Sequence, residues 1–123
     1  MHHRLSALTA LTSTAVLVAV SPAWAHAKLV TSNPAANATL SAPPKTITLT
    51  FNEKLVPAFS KFELVMPEHG GMKVPVKTVI SADGKTITGT PQGALTNGAY
   101  KITWSAASKD GHKMSGEVPF KVG

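Results

Sequence analysis

The stretch KTITLTF, Lys45 to Phe51, decides the fold. Ile47, Leu49 and Phe51 alternate with Thr46, Thr48 and Thr50, so an extended chain puts every apolar side chain on one face and every hydroxyl on the other. That is a half-buried strand. Similar β-prone runs follow it at Phe59 to Met66, Val74 to Ile80, Lys85 to Gly89, Ala99 to Ser105 and Glu117 to Val122. Turn chemistry separates them at Asn33-Pro34, Ala42-Pro43-Pro44, His69-Gly70-Gly71, Asp83-Gly84, Asn97-Gly98 and Asp110-Gly111. No window has helical periodicity beyond a turn near Asn52 to Ala58. About seven short strands spaced by turns predict an all-β, immunoglobulin-like Greek-key β-sandwich or barrel, a single compact domain.

That domain excludes the first residues. Arg4 precedes an apolar run, Leu5 to Val20, which is too short and too dotted with Ser and Thr for a comfortable membrane span. Ser21-Pro22 breaks the run, and Ala23-Trp24-Ala25 places small residues where a signal peptidase requires them. The expectation is a secretory signal over 1–25, cleaved to leave 26–123 as an exported domain without membrane insertion of its own. Those 98 residues (123 less 25) carry eleven lysines, no arginine and six acids. A chain of this size buries only about 60–65% of its unfolded surface. With no cysteine there is no disulfide, so the core must come from packed sheets, and thiolate catalysis and thiolate metal sites are excluded.

The positive charge does not point to nucleic acid. Its lysines are scattered singly, whereas a nucleic-acid face clusters its basic residues and uses arginine for bidentate contacts. Lysine scattered through strands reads instead as protection of exposed sheet edges.

Three histidines follow residue 25: His26, His69 and His112. No serine–histidine–acid grouping and no glycine-rich phosphate loop accompanies them. A chain cut after Ala25 begins at His26, and a free α-amine loses its proton at about pH 7.7–8.0. The amine and the ring Nδ1 of one residue can close a chelate on one metal ion, although a terminal residue can also simply fray. In Ser108-Lys109-Asp110-Gly111-His112, the aspartate and histidine point the same way if the chain is extended. With His26 they complete an N,N,N,O donor set of the kind that suits Cu(II). The same Asp-Gly reads equally as a plain hairpin turn. Ser81-Ala82-Asp83-Gly84-Lys85 repeats the S-x-D-G form with lysine in the histidine's place.

The start H-A-K-L (His26 to Leu29), the run S-x-P-A-x-x-x-x-L (Ser32 to Leu40), the strand end T-F-N-E (Thr50 to Glu53) and the tail YKITWSAASKDGHKMSGEVPFKV (Tyr100 to Val122) together resemble the CopC family of periplasmic copper-binding proteins. The likeness covers nearly all of 26–123. It implies a small Greek-key β-sandwich that is a non-catalytic carrier of one Cu(II) per chain in copper resistance or homeostasis. It also implies His26, Asp110 and His112 as ligands, Glu53 as an acid near the copper, and transfer to a CopD-like inner-membrane importer. A monomer is expected. Many members add a Cu(I) site on a Met-rich loop. Here the equivalent region, Met66 to Lys73, has only two methionines around His69, so a Cu(II)-only member is expected. The alternative is a weak Cu(I) site at Met66, His69 and Met72.

Two other function classes compete. A histidine-brace copper oxidase also uses a terminal histidine, but little aromatic surface is available here and an Asp110 ligand would fill a plane that oxygen chemistry needs open. A metal-free β-sandwich interaction module is the third reading.

Overall fold

The computed structural model describes residues 27–123, so the signal expected over 1–25 and the expected ligand His26 lie outside the described residues. Nine strands are formed among them: β1 (Leu29–Asn33), β2 (Ala38–Leu40), β3 (Ile47–Phe51), β4 (Lys61–Met66), β5 (Met72–Val74), β6 (Val76–Ile80), β7 (Thr86–Pro91), β8 (Gly98–Ala107) and β9 (Lys113–Val122). They build two sheets, ordered β1-β3-β7-β6 and β2-β9-β8-β4-β5. Every pairing is antiparallel except β2 against β9. The result is an all-β sandwich, as the alternating patterns predict.

Between the sheets lies one core. Ile47, Leu49 and Phe51 of β3 and Ile87 of β7 face Phe62 and Leu64 of β4, Tyr100, Ile102 and Trp104 of β8, and Val118, Phe120 and Val122 of β9. Fully burying a side chain of this size stabilises the fold by about 1.5–3 kcal/mol. The aromatic residues interlock: Phe51 meets Trp104 edge-on with centroids 5.1 Å apart, and Tyr100 stacks on Phe120 at 5.4 Å. The buried Tyr100 hydroxyl donates to the Thr96 carbonyl at 2.7 Å, the tyrosine-corner contact of Greek-key sandwiches. Two glycines let the layers close. A Cβ on Gly89 would stand 2.2 Å from the Phe62 ring, and one on Gly116 would stand 2.6 Å from the Trp104 indole.

Nine strands replace the expected seven for physical reasons. The run expected as one strand, Val74 to Ile80, divides at Pro75, which has no N–H to give a ladder. Met72–Val74 pairs with β4 in one sheet, and Val76–Ile80 pairs with β7 in the other, so the chain changes sheets at the proline. β1 and β2 come from the Leu29–Leu40 region. β1 carries a register shift between Leu29 and Thr31 that breaks its alternation, and β2 has only three residues. β9 starts at Lys113 instead of Glu117, because its polar first half is held by pairing with β8 from Ser105–Ser115 to Ala107–Lys113.

That longer pairing sets up the site. β8 and β9 become a long hairpin whose loop is Ser108 to His112.

Candidate metal centre

The Ser108–His112 loop is a turn, the second of the two readings its Asp-Gly allows, so Asp110 and His112 converge by a route other than strand alternation. The Gly111 N–H donates to the Ser108 carbonyl at 3.0 Å, and the Ser108 N–H donates to the His112 carbonyl at 3.2 Å. Gly111 has φ +88°, the left-handed backbone that favours glycine. The turn folds the Asp110 carboxylate back over itself. Its Oδ1 accepts from the Ser108 hydroxyl and, at 3.1 Å, from the His112 backbone N–H. Its Oδ2 lies 2.7 Å from His112 Nδ1.

These contacts have electrostatic consequences. The Ser108 hydroxyl first, then the His112 side chain, hold the Asp110 carboxyl well below the usual carboxylate range, so it is ionised at every physiological pH. A carboxylate offers about four lone-pair directions. The contacts within the turn use three of them. The carboxylate also fixes the imidazole ring, holding Nδ1 turned towards Oδ2. The His112 side chain remains 58% exposed. The pair is therefore a prepared anion–imidazole unit on the protein surface.

The described chain begins at the same end of the sandwich. Ala27 is wholly buried, and Lys28 is clamped by Asn52, whose side-chain oxygen accepts from the Lys28 N–H at 2.7 Å while its own N–H donates to the Lys28 carbonyl at 3.1 Å. Three residues on, Leu55 bridges to Ser108. An extended span of three residues covers at most about 10 Å, so the anchored start and the metal-type turn are close neighbours. Glu53 is half-buried on that connecting segment.

The repeated S-x-D-G turn proves to be a structural twin. Ser81 donates to Asp83 Oδ1, and the Lys85 N–H donates to the same oxygen at 3.0 Å, as His112 does in the other turn. Both turns grip one segment. The Leu55 N–H donates to the Gly84 carbonyl and the Val56 N–H to the Ala107 carbonyl, each at 2.8 Å. The two turns differ at the residue after the serine, Ala82 or Lys109, and at the residue after the glycine, Lys85 or His112.

The remaining sequence candidates sit elsewhere. Met66 and Met72 form a direct cross-strand pair where β4 turns into β5, with Met66 in the core and Met72 exposed. His69 is exposed on the turn between them. Met66 packs towards Gly98 at the start of β8. The Ser108 turn follows the other end of that strand, on the order of 30 Å away. Among the described residues no third His, Asp or Glu joins Asp110 and His112 in a metal-type group. Sequence reasoning missed Ser108 and Asn52, although both stand inside motifs it singled out. The recurrence of serine two residues before each Asp-Gly was the available signal for Ser108.

Comparison with known proteins matches residues 29–123 to the CopC domain. A copper resistance protein C of Xanthomonas campestris pv. juglandis is 42% identical over 125 residues, covering 94% of this chain and 98% of that protein. A copper resistance protein C of Pseudomonas syringae pv. tomato is 46% identical over 105 residues, covering 81% and 82%. The crystal structure of PcoC, a methionine-rich copper resistance protein from Escherichia coli, superposes with a TM-score of 0.72 at 35% identity, covering 80% of this chain and all of that one.

Proposed function

The chain belongs to the CopC family, and from that premise we propose that it is a copper carrier that holds one Cu(II) per chain, without catalysis, in copper resistance or homeostasis. The observation that carries this reading is the ionised Asp110 carboxylate held against the His112 ring on the β8–β9 loop, beside the anchored start of the described chain. The full donor set we propose is the α-amine and Nδ1 of His26, a carboxylate oxygen of Asp110 and a ring nitrogen of His112. A nitrogen-rich tetragonal set favours Cu(II) over other divalent first-row ions. Glu53, on the segment joining Asn52 to Leu55, acts as an outer acid. The chain works in the periplasm as a monomer after loss of residues 1–25 and passes its ion to a CopD-like inner-membrane importer. Release follows reduction, because Cu(I) prefers softer and fewer ligands, or acid, because amine and imidazoles bind only when deprotonated.

The test is a Cu(II) titration of protein beginning at His26, repeated with one residue added before His26 and with His112→Ala. Both changes should weaken binding by more than the roughly 100-fold that an outer partner contributes, and both should alter the visible d–d band. Unchanged binding in the extended protein would remove the terminal chelate. Unchanged binding in His112→Ala would remove the hairpin half. Product release from chitin or cellulose by the reduced, copper-loaded protein would make it an enzyme instead.

A further inference from the structure

Edge protection does not account for all the lysines. In the five-stranded sheet β5 covers β4 only at Leu64–Met66 and β2 covers β9 only at Phe120–Val122, so Lys61 and Lys113 stand on uncovered strand edges, whereas Lys101 on β8 and Lys121 on β9 have a strand on either side. Strand alternation explains where they point. Tyr100, Ile102, Trp104 and Ala106 of β8 face the core, so Lys101 and its alternating neighbours face out. Register carries that outward face across β4 and β9, where Lys61 and Ser115 flank Ser105, and Lys121 lies opposite Ala99. Lys73 of β5 joins the same face through its ion pair with Glu63. One broad sheet surface therefore holds five of the chain's eleven lysines against two acids, Glu63 and Glu117. Lys73 and Lys101 are paired with those glutamates. Lys61, Lys113 and Lys121 have no acidic partner among the described residues.

The surface has two further features. Phe59 is 55% exposed at its rim, with the Lys113 ammonium 4.8 Å over its ring. Two shallow hollows open on the face, each flanked by a pair of lysines. Lys61 and Lys113 border one beside Phe59 and Ser105, and Lys101 and Lys121 border the other beside Thr39 and Pro119.

We propose that this face docks the protein on an anionic lipid bilayer, Lys61, Lys113 and Lys121 receiving lipid phosphates and Phe59 entering the interface. Its composition favours lipid over a protein partner. Protein interfaces are depleted in lysine and enriched in arginine, and this surface has the reverse bias. Lysine beside an exposed aromatic is the chemistry of peripheral membrane contact. Lys113 directly follows His112, so docking sets the Ser108–His112 loop at the margin of the membrane contact. The inference stands on charge and topology and does not depend on the copper reading.

The experiment is co-sedimentation of the protein beginning at His26 with vesicles of about one-third phosphatidylglycerol in phosphatidylcholine, and with pure phosphatidylcholine, at about 20 mM and about 300 mM salt. The triple variant Lys61→Gln, Lys113→Gln, Lys121→Gln is compared with the equally charged Lys45→Gln, Lys77→Gln, Lys85→Gln, whose lysines lie off this face. Each lysine at an anionic surface strengthens partitioning about five-fold, so the first triple should lose on the order of 100-fold and the second only a few-fold. High salt should weaken wild-type binding, and Phe59→Ala should cost several-fold at both salts. Equal losses in the two triples would show that only net charge matters and overturn the proposal. Equal binding to phosphatidylcholine would overturn it as well. No binding to either vesicle at low salt would also overturn it, leaving an acidic protein surface as the face's counterpart.

Discussion

Ser108→Ala should weaken Cu(II) binding while leaving every proposed ligand in place. The Ser108 side chain is 1% exposed, and its hydroxyl is the foremost influence on the Asp110 carboxylate. Without it, Oδ1 keeps only the His112 N–H, and the carboxylate can rotate away from the imidazole that it orients at 2.7 Å. Partners that orient metal ligands contribute about 10–100-fold in affinity. The expected loss is in that range, with one ion still bound. The protein supplies its own control in Ser81→Ala, which deletes the equivalent hydroxyl from the twin turn. That turn ends in Lys85, so the control should leave affinity within about two-fold, since no imidazole depends on it.

Affinity can be read by competition with a chromophoric chelator and by quenching of Trp104, the sole tryptophan beyond residue 25. If Ser108→Ala binds as tightly as the parent, orientation of the carboxylate is irrelevant and the pair is not prepared in the sense argued. If both variants lose affinity equally, the loss reflects general loosening of this end of the sandwich.

Gly89→Ala should destabilise the fold by about 1–3 kcal/mol, because its methyl would meet the Phe62 ring and Val76, seen as a Tm at least about 4 °C lower in thermal melts. An unchanged Tm would mean that the interface between the sheets is slack at this point. The metal-free protein should lose stability as pH falls below about 4. Asp83 and Asp110 are held below their ordinary values by their turns, so under acid the unfolded chain takes up protons that the folded chain refuses. Urea titrations between about pH 5 and pH 2 should show this slope, and combining Ser81→Ala with Ser108→Ala should flatten it; an unaltered slope would assign the acid sensitivity to other groups.

The sandwich was legible because period-two alternation survives in β3, β7 and β8, where one face is core and the other solvent. It was illegible where that contrast fails. β2 is too short to show a period, β1 is interrupted by its register shift, and the first half of β9 is exposed on both faces, from Lys113 to Ser115. Pro75 was visible, but only the pairing of its two flanks with different sheets shows that it is a crossing point. The lysines reveal a similar limit. Their number and spacing are properties of the sequence, whereas their collection on one face depends on the register between β4, β8 and β9, which no single strand contains.

At the site, residue types were legible and geometry was not. Extended-chain reasoning put Asp110 and His112 on one side for a reason that does not operate. They meet because a serine two residues before the aspartate and a glycine after it close a turn around one carboxylate. The twin at Ser81–Lys85 shows that this turn exists independently of metal chemistry, since it holds Asp83 in the same way next to a cationic side chain. The turn is thus a device for fixing a carboxylate at the mouth of the sandwich. In the proposed function it serves copper only where its last residue is an imidazole and where the first described residues, tied to Asn52, stand close by. Two conditions must coincide, which is why S-x-D-G alone is a weak signal and S-x-D-G-H beside an anchored chain start is a strong one.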